Sequence, residues 1–145
     1  MRYKHVKKDN AVKFKLEGGE LTSILASGMD TDNRVTIFDS KLPKNHGAPW
    51  HYHEIDDEIF YIITGEIEFG VEDESFIGYP GDLVIAGPNV KRKFKALQDS
   101  HVLVINAPSG PSEGFITEIS KFTKESPATD KDKEHFIKKY KIHII

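Results

Sequence analysis

The stretch Gly47-Ala48-Pro49-Trp50-His51-Tyr52-His53-Glu54-Ile55-Asp56-Asp57-Glu58 sets two histidines one residue apart and follows them with a carboxylate. Side chains alternate along a strand, so His51 and His53 face the same way, about 7 Å apart by backbone rise. Trp50 and Tyr52 then point the other way. A turn at Asp56-Asp57 folds Glu58 back beside the imidazoles. Two histidines and one carboxylate make the facial triad that suits non-haem iron and leaves positions open for substrate. Zinc or manganese takes the same donors.

Outward from this stretch, short apolar runs alternate with turn signals. Leu21 to Ala26 precedes Ser27-Gly28, and Arg34 to Asp39 precedes Ser40-Lys41-Leu42-Pro43. Glu58 to Thr64 ends at Gly65, Ile67 to Val71 at Glu72-Asp73-Glu74, and Leu83 to Ala86 at Gly87-Pro88-Asn89. His101 to Ala107 ends at Pro108-Ser109-Gly110-Pro111. Short strands at this spacing indicate an all-β sandwich or barrel. Ile59-Phe60-Tyr61-Ile62-Ile63 is apolar on both faces, one for the barrel interior and one for a second sheet or another subunit. Beyond residue 128 the pattern turns helical. Thr129 caps a segment running to Tyr140, acidic at its start and lysine-rich at its end, with Phe136 and Tyr140 on one face. The apolar Ile142 to Ile145 reads as a tail strand.

These residues resemble the first motif of the cupin superfamily, which reads Gly, five residues, His-x-His, three or four residues, Glu, six residues, Gly. His51, His53, Glu58 and Gly65 fit it, while Asn45 holds the place of the opening glycine. Asparagine is the residue that best substitutes for glycine in a left-handed backbone. The second motif, Gly, five residues, Pro-x-Gly, two residues, His, three residues, Asn, is degraded. Counting from Gly81 puts Gly87 at the proline, Asn89 at the glycine, Arg92 at the histidine and Ala96 at the asparagine. Strand alternation supports this register, because a slip of one residue would drive Lys91, Lys93 and Lys95 into the barrel.

The resemblance implies a cupin-type double-stranded β-helix, or jelly-roll, barrel with a short C-terminal helix. One domain would span residues 1–145, with the barrel over about 20–108 and the helix over about 130–140. It implies a metal site of His51, His53 and Glu58 for a divalent Fe, Mn, Ni, Cu or Zn ion. The fourth family ligand is replaced by Arg92, which cannot coordinate a metal. A guanidinium ~5 Å from a divalent ion is repelled by several kcal/mol at an effective dielectric of ~20. Three arrangements are open: Arg92 turns away, Arg92 meets the metal through an anionic substrate, or Arg92 pairs with Glu58 in a metal-free pocket. Phe60, Ile62 and Phe94 share faces with Glu58 or Arg92 and are expected to line the barrel. His46 and His101 match no family ligand position.

The expected function is that of the quercetin-dioxygenase-like group. It is a dioxygenase-like oxidoreductase acting on a small enol, aromatic or carbonyl compound, with Glu58 and Arg92 at the reacting centre. The alternative is a metal-free small-molecule binder. A net charge of −3 with dispersed lysines argues against nucleic acid as a partner, and no run approaches a membrane span. The absence of cysteine excludes disulfides and thiolate metal sites. A cytoplasmic homodimer that binds a small molecule is the expectation.

Overall fold

The computed structural model describes residues 2–145. After a short 3-10 turn at Lys8–Asn10, the strands are β1 (Val12–Lys15), β2 (Leu21–Ala26), β3 (Thr36–Leu42), β4 (Gly47–His53), β5 (Asp57–Thr64) and β6 (Ile67–Val71). Then come β7 (Glu74–Gly78), β8 (Leu83–Ala86), β9 (Arg92–Ala96) and β10 (Ser100–Ala107). Helices α1 (Pro111–Ile119) and α2 (Asp130–Tyr140) lead to β11 (Ile142–Ile144). One sheet has the order β1-β2-β3-β10-β5-β8 and the other β11-β4-β9-β6-β7, with antiparallel pairings. Two such sheets with their inner faces together form the jelly roll.

The core lies between the sheets. Phe38, Phe60, Ile62 and Val104 come from one sheet, and Ile67, Phe69 and Ala96 from the other. Strand β3 runs further than the apolar run at Arg34 to Asp39 indicates. Ser40-Lys41-Leu42 continue the strand instead of turning, and Thr36, Phe38, Ser40 and Leu42 all face inward. Ser40 is tolerated inside because its hydroxyl meets that of Thr22 at 3.0 Å. On β5, Phe60 and Ile62 fill the interior while Tyr61 and Ile63 stay exposed on the outer face.

Turns hold the register. Asn45 has φ +72° and Asn89 φ +64°, so asparagine takes the left-handed conformation at both places where the family motifs carry glycine. Gly65 cannot be replaced so mildly. Its φ is +91°, and a Cβ there would lie 2.1 Å from Ser100 Oγ.

The C-terminal segment docks as a second small core. Phe136, Tyr140 and Ile142 are buried against Phe115 of α1. Helix α2 opens with a reciprocal cap between Thr129 and Asp132. Strand β11 pairs with β4, aligning Ile144 with His51 and Ile142 with His53.

Candidate metal centre

Strand β4 carries both histidines inward, as its alternation requires; each is under 9% exposed, while Trp50 and Tyr52 face outward. The β4–β9 register shifts between Ala48 and His51, a bulge around Pro49, which has no N–H to offer the ladder. The Pro49 carbonyl lies 2.7 Å from His51 Nδ1. A carbonyl can only accept, so His51 Nδ1 carries a proton and Nε2 is the ring atom turned to the site, its lone pair free for an ion once that nitrogen is deprotonated. His53 Nδ1 is held in the same way, 2.9 Å from the buried Asp56 Oδ2. Asp56 Oδ2 also accepts from Asn106 Nδ2 at 2.8 Å and, more weakly, from Ser112 Oγ at 3.4 Å. Carboxylate-anchored imidazoles of this kind are the usual outer support of a metal ligand.

Glu58, at the start of β5, completes the set. Its Oε2 lies 3.5 Å from His51 Nε2 and 3.9 Å from His53 Nε2. One donor atom from each of the three residues falls within 4.8 Å of the others, and all three are buried from bulk water. Burial alone would raise the Glu58 carboxyl. In the ion-free site, positive charge and N–H donation from the His53 and His51 imidazoles, together with the Arg92 guanidinium, outweigh it and hold the group ionised, well below the usual carboxylate range. Two Nε2 lone pairs and an ionised carboxylate are the chemistry a divalent ion requires, so the residues fit the ion.

Arg92 sits directly across from His51 in the β4–β9 ladder and is 1% exposed. Its Nε donates to Glu58 Oε2 at 3.0 Å and its Nη1 to the Val90 carbonyl at 2.9 Å. Nη2 is buried with no partner among the described residues. Of the three arrangements open to Arg92, the structure contains the direct pair with Glu58. Arg92 therefore lies behind the carboxylate and is not part of the cavity wall.

The cavity above this group has a volume of about 160 Å³. His51, His53 and Glu58 form its polar end, and Phe38, Phe60, Phe94 and Val104 its apolar wall. Phe115, Ile116 and Ile119 of α1 close over it. Phe60 and Phe94 thus stand where alternation puts them. Ile62 does not line the cavity. It is wholly buried in the core, because one further step along β5 carries its side chain into the layer beneath. His101 is on the outer face of β10, 2.5 Å from Asp39, and joins no ligand set. Sequence reasoning missed Asp56, read only as a turn residue, and Asn106, read only as part of the run from His101 to Ala107. Alternation from Val102 and Val104 places Asn106 inward, and that signal was available.

A family model described as "Cupin domain" matches residues 38–107. The quercetin 2,3-dioxygenase of Bacillus subtilis is 29% identical over 102 residues, covering 64% of this chain and 30% of that protein. The chain thus spans about a third of that curated relative's length. Among solved structures, KdgF from Halomonas sp. aligns with a TM-score of 0.66 at 24% identity, over 74% of this chain and 96% of that one. Streptomyces Pac13, solved with uridine, aligns with a TM-score of 0.64 at 15% identity, over 76% and 85% of the two chains. At these identities the structural likeness is one of fold. Motif, strand order and matched model agree: residues 38–107 of this chain form a cupin domain.

Proposed function

We propose that the protein holds a divalent ion, Fe, Mn, Ni, Cu or Zn, on His51, His53 and Glu58. It would then act as a dioxygenase-like oxidoreductase on a small enol, aromatic or carbonyl compound. The observation that carries this reading is the locked orientation of both imidazoles. Each Nδ1 proton is committed, to Pro49 or to Asp56, and each Nε2 is left facing Glu58. Such an ion supplies Lewis acidity and, if redox-active, electron-transfer chemistry. The chain's own part is to bind and orient. Arg92 acts through Glu58, fixing the carboxylate and adding positive charge that favours an anionic ligand oxygen, while α1 and the phenylalanines exclude water. The catalytic assignment of Glu58 and the positioning role of Arg92 belong to this proposal, as does the reading of residues 1–145 as one domain.

Elemental analysis of purified protein after anaerobic loading with each metal tests it. Near-stoichiometric metal in the wild type, absent from His51→Ala and His53→Ala, is expected. Failure to take up any of the five ions would falsify the metal reading.

One observation favours a second reading. The 3.0 Å Arg92–Glu58 pair already neutralises the carboxylate, so the pocket can capture a small metabolite with no ion. Native mass spectrometry would then show an organic ligand released on denaturation and no metal.

We further propose a cytoplasmic homodimer. Among the described residues, no helix is long and apolar enough to cross a membrane. The outer face of β5 and β8 exposes Tyr61, Ile63, Leu83 and Ile85 beside an unpaired β8 edge. A second copy covers such a face better than water does.

A further inference from the structure

The cavity has a second polar group that the triad does not use. Glu20 lines it together with Thr22 and Ser40, on β2, β3 and the turn before β2. Thr22 Oγ1 donates to Glu20 Oε1 at 3.1 Å and lies 3.0 Å from Ser40 Oγ. A hydroxyl has one proton, so Thr22, having given its own to Glu20, accepts that of Ser40. The relay runs Ser40 to Thr22 to Glu20 and ends at the carboxyl. Glu20 Oε2 has no hydrogen-bond partner among the described residues.

The turn that delivers Glu20 is tightly built. Leu16 N donates to the Glu20 carbonyl at 2.8 Å. Gly18 has φ +86°, and a Cβ there would lie 2.1 Å from His46 Nδ1. The β1–β2 turn is thereby held against the barrel mouth, with Leu16 and Glu20 both facing the cavity. Drawing the half-buried carboxyl out of bulk water costs solvation that the single Thr22 hydrogen bond returns only in part.

We propose that Glu20 is a second ligand anchor, hydrogen-bonding an oxygen of a compact, largely apolar ligand whose other end reaches His51, His53 and Glu58. The ligand class is then a small hydroxy-carbonyl compound with oxygen functions at two ends, the apolar wall of Phe38, Phe60 and Phe94 accepting its middle. This rests on the reading that the triad end of the cavity binds ligand. Burial, reinforced by the charge of Glu58, pushes the Glu20 carboxyl up to about 7 despite the Thr22 hydrogen bond. Near neutrality it is therefore available as a donor acid as well as a carboxylate.

The test is isothermal titration of the zinc-loaded protein with catechol and with 3,4-dihydroxybenzaldehyde. Both offer adjacent hydroxyls to the triad end, and only the aldehyde carries an oxygen at the far end. The aldehyde is also the stronger acid in every variant, so the readout is the change in its preference between variants. In Glu20→Leu the preference is expected to shrink about ten-fold, the effect of one buried hydrogen bond, with catechol affinity unchanged. Glu20→Gln, which keeps a donor in the same shape, is expected to restore it. A preference that survives in Glu20→Leu, or a wild type that binds neither probe, overturns the proposal. If the protein takes up no zinc yet the preference still shrinks, the second anchor stands and the metal reading falls.

Discussion

Arg92 and Glu20 show how far single residues depart from a family pattern without loss of a coherent site. Replacing a ligand histidine by arginine moves a fixed positive charge behind Glu58, where it stabilises the ionised carboxylate. Glu20 is subject to the opposite effect. Its carboxyl titrates at about 7 when folded, against 4.5 unperturbed. The folded state therefore binds more protons between these values, and stability is lost as pH rises through 7. Glu20→Gln removes this loss. Between pH 5 and pH 8 the variant should gain about 2 kcal/mol on the wild type, allowing for partial exposure, in paired urea melts at the two pH values. A constant difference would mean that Glu20 is not titrating in this range. The triad itself was legible in the sequence, because a strand's period of two fixes where His51 and His53 point. Its supports were not. Pro49 acts through a carbonyl at a strand bulge and Asp56 through a buried carboxylate in the β4–β5 turn, and no spacing rule encodes either placement.

Elements were legible in proportion to the strength of their own signals. Helix α2 begins and ends where its cap and charge pattern put it, and Thr129 closes a full capping box with Asp132. Thr129→Ala should lower stability by about 1 kcal/mol, seen as a shift in the denaturation midpoint with an unchanged slope. Helix α1 escaped sequence reading because Pro108-Ser109-Gly110-Pro111 looks like a turn, although Pro111 at the first helical position is also a start signal. Strand β1 escaped for a different reason. Val12, Lys13 and Lys15 are exposed, so no buried face leaves an alternation to read. These two missed elements flank the cavity, one as its cover and the other in the hairpin that carries Glu20. The barrel could be inferred from sequence; the closure of its mouth could not.

For the whole molecule, the apolar outer face of β5 and β8 governs assembly. Leu83 and Ile85 are 54% and 59% exposed, on an edge strand of only four residues. Light scattering after size exclusion should give a dimer mass for the wild type and a monomer mass for a Leu83→Glu, Ile85→Glu double variant. Because neither side chain reaches the cavity, metal content should stay unchanged. A wild-type monomer would remove this role from the face. The strand order has another outcome, in the time domain. Strand β10 lies between β3 and β5, pairing Asn106 with both Thr36 and Glu58. Those two strands cannot join into one sheet until a segment roughly forty to seventy residues downstream of them inserts between them. Such long loop closures precede any contact that rewards them, which places folding on the slow, millisecond-to-second side of the range for small domains. Asn106 also donates to Asp56, so the orientation of His53 is among the last features to be set.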